Sequence, residues 1–149
     1  MADQDEQRYF TLREAEETRL EVEPMLVEAM EGRRRATQIR LSLAGLGGRI
    51  MLMGGLLVRY EEAVRKRAAL DKLNQDVQSA LEQIQAFGCV VKDLDTGLPD
   101  FPSRIDDREV YLCWRLGEDR IRFYHGTDEG FAGRKPLDLR DSGPRDPIH

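Results

Sequence analysis

The chain has 149 residues, 34% of them charged and 7% aromatic, and carries a net charge of −5. That length builds one domain with its own core and needs no disulfide or structural metal to hold it, while so much charge with so few aromatic rings points to long solvated helices and an elongated fold. The largest basic excess in any segment is 6 basic against 5 acidic groups, in residues 45–87, which argues against nucleic acid as the partner.

Thr11-Leu12-Arg13-Glu14 has the spacing of a capping box, so a helix is predicted to begin at Leu12. Positions 12, 15, 19, 22, 26, 29, 33, 36, 40 and 43 form a seam at alternating spacings of three and four, apolar except for arginines at 19, 33 and 40. Pro24 lacks the amide that a helix interior uses, so it is expected to kink this helix or to open a second one. A cleaner seam, Leu70, Leu73, Val77, Ala80, Ile84 and Phe87, predicts a helix over about 56–87. Gly88 stands where a left-handed cap would end it. Joined through residues 45–55, the two make an antiparallel, coiled-coil-like hairpin over 12–87. The least polar run, residues 41–58, carries Arg49 at its middle and five glycines, so a membrane span is not expected there. Leu46, Met51, Leu52, Met53, Leu56 and Leu57 leave more apolar surface than one hairpin covers, and a homodimer is the expected solution, with another protein as the alternative partner.

After Gly88 the apolar period changes from helical to alternating. Residues 89–93 read as a strand, Thr96-Gly97 as a turn, residues 99–107 as a loop and 109–116 as a second strand, with Gly117-Glu118-Asp119 turning into a third over 120–125. The fold class is therefore α+β, a long antiparallel helical hairpin with a small three-stranded antiparallel sheet. Val110, Leu112, Trp114 and Leu116 share one strand face, as do Ile121, Phe123 and His125 on the next strand, and these faces are expected to meet the helices. The opposite face would then show Tyr111, Cys113 and Arg115 beside Arg122 and Tyr124. A single domain is expected over 1–137, with a glycine-rich loop in 88–137, and the polar tail 138–149 is expected to be disordered.

Chemistry concentrates in this second half. Asp93 and Asp95, two residues apart on an extended chain, with His125 and Asp100 nearby, are candidate ligands for a divalent metal. The plainer alternative is Asp95 capping a turn through its own side chain while Asp93 pairs with Lys92 or a strand arginine. Trp114, Arg115, Glu118 and Arg134 form a candidate ligand-binding group, because the loop HGTDEGFAGRKP can carry Arg134 back over the strands to meet a small anion or carboxylate. A charge pair with Glu118 or Asp95 is the structural alternative. His125 reads either as a core histidine or as a general base. Cys113 reads as a packing residue or as a thiolate held between Arg115 and Arg122. Asp93, Asp95, Trp114, Glu118, His125 and Arg134 are expected to form one connected polar cluster. Cys89 and Cys113 lack CxxC spacing, and MADQDEQRYF has neither a basic nor an apolar leader segment, so a reducing cytoplasm is the expected setting.

With RYFTLREAE at the start, then a helical hairpin, then GCVVKDLDTGLPDFPSR, REVYLCWRLGED and EGFAGRKPL, the chain resembles the bacterial family known as domain of unknown function 2203. It departs from that family in the apolar GLGGRIMLMGGLL connection and in Tyr124-His125, where a Trp-His pair is common. The resemblance implies a cytoplasmic helical-hairpin protein and supplies no activity. Two functions therefore stand side by side: a homo-oligomeric interaction or scaffolding module, and a metal- or small-anion-binding protein or enzyme built on the strand region.

Overall fold

The computed structural model describes residues 8–53 and 57–137, with residues 47–53, 57 and 58 described as backbone alone. Helix α1 spans Leu12–Met53 and helix α2 Leu57–Ala86. Five strands follow: β1 Val90–Asp93, β2 Leu98–Ile105, β3 Arg108–Cys113, β4 Phe123–Gly126 and β5 Lys135–Pro136. They lie in sequence order in one sheet, every neighbouring pair antiparallel. The architecture is α+β, with two long helices packed on each other and an antiparallel sheet of five strands where the sequence pattern predicts three. The side chains of Met51, Leu52, Met53 and Leu57, all of Leu56 and the tail 138–149 lie outside the described residues.

Two compact units divide the chain: residues up to Leu26 together with those from Leu81 onward, and Val27–Ala80. The boundary crosses both helices. Among the described residues of Val27–Ala80 the buried side chains are small or aliphatic: Ala29, Ala36, Leu46, Leu70 and Ala80. A Cβ added at Gly32 would stand 2.8 Å from Val77 Cγ2, so the absence of a side chain there is what lets α1 approach α2. Arg33, Arg34 and Arg35 are exposed, as a solvated helix face requires.

The other unit begins with the capping box. Glu14 N donates to Thr11 Oγ1 at 3.1 Å, and Thr11 N donates to Glu14 Oε1 at 3.0 Å. Helix α1 runs through Pro24 without a break, and Pro24 is exposed, so no second helix starts there. Arg19 occupies a seam position because it is satisfied: its guanidinium lies 5.3 Å from the Trp114 ring, pairs with Glu16 at 2.9 Å and donates to Asp119 O at 3.1 Å. At the end of α2, Gly88 takes a φ of +100°, and its amide donates to Gln85 O, as the cap requires.

Residues 99–107, predicted as a loop, are mostly strand β2, and the two prolines explain how. In an antiparallel strand a residue's amide and carbonyl point to the same side. Pro99 O accepts from Trp114 N just past the Asp100–Cys113 end of the β2–β3 register, and Pro102 O accepts from Phe10 N just past the Val90–Asp100 end of β1–β2. Each missing proline donor therefore falls where a ladder has already stopped. Asp106 and Asp107, with φ of 52° and 66°, make the two-residue turn into β3. Below them Phe101 is fully buried, edge-on to Phe10 at 5.3 Å between ring centroids.

The β3–β4 register corrects the predicted faces. Tyr111 pairs with His125 and Cys113 with Phe123. His125 and Phe123 thus share a face with Cys113 and Tyr111, and not with Val110 and Leu112. Parity decides this, since the register joins odd-numbered residues to odd-numbered ones and one position of slip exchanges the faces. The turn between these strands is also longer than predicted. Gly117 (φ +107°) lies within an irregular connection over 114–122, in which Trp114 and Ile121 are buried and Ile121 N donates to Glu16 Oε2 at 2.7 Å.

Candidate functional site

The three central strands each send one side chain to the same face. Asp100 on β2 lies directly opposite Cys113 on β3, and His125 on β4 is paired with Tyr111, two residues from Cys113. All three side chains are buried, at 1%, 1% and 2% exposure. One carboxylate oxygen, the thiol sulfur and a ring nitrogen lie within 4.8 Å of one another, the one such group of three among the described residues.

His125 is oriented from behind. Its Nδ1 stands 2.9 Å from Gly126 O, an acceptor only, so Nδ1 carries a proton and donates it there. Nε2 lies 3.1 Å from Asp100 Oδ2. Burial pushes the Asp100 carboxyl above the usual carboxylate range, against the opposing pull of His125, Lys92 and a hydrogen bond from the Cys113 thiol. Burial raises the Cys113 thiol to about 12, with Asp100 adding to the rise and Arg134 opposing it. A thiolate stabilised by Arg115 and Arg122 is therefore not found: Arg115 is exposed and Arg122 is bound to Asp119 at 2.8 Å.

A cavity of about 110 Å³ opens beside the three groups, walled by Leu98, Gly130 and Phe131, with Lys92 and Glu129 at its border. Lys92 is the extra residue of a bulge between Val91 and Asp93, a device that re-aims a side chain, and its Nζ lies 4.6 Å from the Tyr111 ring centroid. Glu129 is engaged twice, accepting from Gly126 N at 2.8 Å and from Lys135 Nζ at 2.7 Å.

The sequence-predicted residues fall into separate settings. Asp93 ends β1, and its carboxylate accepts the Asp95 amide at 2.9 Å, so the residue that caps the turn is Asp93 and not Asp95. Trp114, Arg115, Glu118 and Arg134 do come together. Glu118 Oε1 accepts from the Arg115 amide at 2.9 Å and from Arg134 Nη2 at 3.0 Å, while Trp114 Nε1 donates to Glu118 O at 2.9 Å. Arg134 is layered between the rings of Phe123 and Phe131, 4.0 and 4.3 Å from their centroids. This is the charge-pair alternative for Arg134, with Glu118 as the partner. The residues of the expected single cluster thus stand in three settings: the Asp93–Asp95 turn, Trp114 with Glu118 and Arg134, and His125 with Asp100 and Cys113.

Asp100, expected only as a neighbour of Asp93 and Asp95, stands beside His125 in their place, and Lys92 at the cavity border is the residue that the motif spacing did not single out. The signal for Asp100 is an acid between Pro99 and Phe101 in an otherwise apolar stretch, which becomes meaningful only once that stretch is a strand.

A family model described as an uncharacterized conserved protein (DUF2203) matches residues 8–137. The chain belongs to the DUF2203 family. No curated protein and no solved structure matches it. The matched residues of this DUF2203 chain include both helices and all five strands, so the buried group and its cavity lie inside the family's own span. Among the described residues, no helix is long and apolar enough to cross a membrane.

Proposed function

We propose that this DUF2203 protein is a metal-binding protein that holds a divalent transition metal of the zinc class through Asp100, Cys113 and His125. The observation that carries this reading is the mutual approach of three different ligand atoms within 4.8 Å at a fully buried site. Ligand atoms in a tetrahedral zinc shell stand roughly 3.5 Å apart, given bonds of about 2.0–2.3 Å, so a small contraction suffices. Sulfur, nitrogen and oxygen together suit zinc, cobalt or iron better than magnesium or calcium. The Nδ1–H bond to Gly126 O is the arrangement that ligating histidines use to present Nε2. Three protein ligands would leave a fourth position for a ligand from the cavity that Asp100, Cys113 and His125 line. A reducing bacterial cytoplasm would keep Cys113 available as a ligand.

The test is titration of metal-free protein with cobalt(II). One equivalent should produce a thiolate-to-cobalt charge-transfer band that disappears in Cys113→Ser, weakens strongly in His125→Gln and persists in Cys89→Ser. A folded wild-type protein without the band, or a Cys113→Ser variant that keeps it, rules the reading out.

A second reading, pairing of two copies through the hairpin, is favoured by one observation: Leu41, Tyr60 and Val64 in the Val27–Ala80 unit are 69%, 62% and 51% exposed. Light scattering at micromolar concentration should give twice the chain mass. A monomer mass removes this reading and leaves the first untouched.

A further inference from the structure

The metal reading leaves open what occupies the fourth position, and the cavity beside it has a definite size, charge and lining. Resting on that reading, we infer that the centre takes a small monoanion at this position, specifically a short-chain aliphatic carboxylate.

Size comes first. A dry apolar cavity of roughly 150 Å³ accommodates benzene. The 110 Å³ here therefore suits a ligand of about four or five non-hydrogen atoms, such as acetate or propionate. Charge comes second. A divalent ion is neutralised by the Asp100 carboxylate and the Cys113 thiolate it would create, with His125 neutral. Glu129 at the border is balanced by Lys135 at 2.7 Å. What remains unbalanced at the cavity is one cation, Lys92, brought there by the β1 bulge. A neutral ligand would leave that charge unanswered, and a dianion would overshoot it. The lining comes third. Leu98 and Phe131 supply apolar wall, which favours a carboxylate with a short hydrocarbon tail over an inorganic oxyanion that is polar all round. Arg134, the other nearby cation, does not line the cavity, and its charge is balanced by Glu118 at 3.0 Å.

The full chain loaded with cobalt(II) provides the readout, because a ligand entering the fourth position changes the visible bands of the ion. Sodium acetate and sodium propionate should each give a saturating, single-site change. Acetamide, sodium sulfate and the larger phenylacetate should give none. Lys92→Met should weaken acetate binding about tenfold or more through loss of a charge-assisted contact, while cobalt stoichiometry and the thiolate band stay as in wild type. If cobalt binds normally but acetate leaves the bands unchanged, or acetamide, sulfate or phenylacetate acts equally well, the inference fails alone. Acetate binding of unchanged strength in Lys92→Met also overturns it. If cobalt does not bind, this inference falls together with the metal reading.

Discussion

The close approach of α1 to α2 at Gly32 can be tested by a pair of substitutions in which the effect of the first changes sign in the background of the second. An added Cβ meets Val77 Cγ2 at 2.8 Å, well inside the 3.4–4 Å of ordinary contact. Valine in a helix has essentially one side-chain rotamer, so Val77 cannot swing aside and the helices themselves must give. Overpacking of this kind costs about 1–3 kcal/mol. Against it, alanine in place of glycine within a helix contributes about 1 kcal/mol. Gly32→Ala alone should therefore destabilise the protein by roughly 1 kcal/mol, lowering the melting temperature by about 2–4 °C for a domain of this size. In a Val77→Ala background the obstruction is gone, and the same substitution should stabilise by roughly 1 kcal/mol. Urea denaturation of all four proteins gives the coupling directly. If Gly32→Ala stabilises equally in both backgrounds, the helices do not meet at Gly32 and the packing argument is wrong.

Three further outcomes follow from local features. Both thiols are buried and pushed up to about 12, so Cys89 and Cys113 should react with a disulfide reagent only after denaturant is added; a full thiol count in native protein contradicts this. Lys135 and the Gly126 amide hold the Glu129 carboxyl below its ordinary range, so its contribution is present above the unfolded-state value and is lost as pH falls through the folded one. The stability difference between wild type and Glu129→Gln should thus shrink on acidification below the usual glutamate range, and a difference constant down to pH ~2 refutes the assignment. Thr11→Ala removes the acceptor for Glu14 N and should cost about 1 kcal/mol in urea unfolding, with Thr11→Ser restoring most of it.

The helices were legible because their signals are local. Leu70, Ala80 and Ile84 are buried where the three-four spacing placed them, and Leu73, Val77 and Phe87 are half-buried. Gly88 caps α2 as its position implied. Strand β2 was hidden because Pro99, Pro102 and an Asp106-Asp107 turn without glycine all read locally as loop. Only the ends of the neighbouring ladders make those prolines acceptable in a strand, and that information is spread over residues 10, 90, 113 and 114. The site was half legible for the same reason. His125 and Cys113 stood out as single residues, yet their proximity depends on register parity, and Asp100 joins them only through β2. The Arg134–Glu118 pair was one of the alternatives open for Arg134, whose partner was expected to be a ligand, Glu118 or Asp95.

The boundary that passes through both helices separates two design problems within one chain. Asp100, Cys113, His125 and Lys92 all belong to the unit formed by the segments outside Val27–Ala80, as do the strands that aim them. In sequence, the Val27–Ala80 segment is inserted between the two parts of that unit. Removing seven residues from each helix within it takes out about two turns per helix and returns the apolar faces to nearly the same angle, within about 20°. Hairpin length should thus be adjustable by the heptad without altering any residue of the buried site.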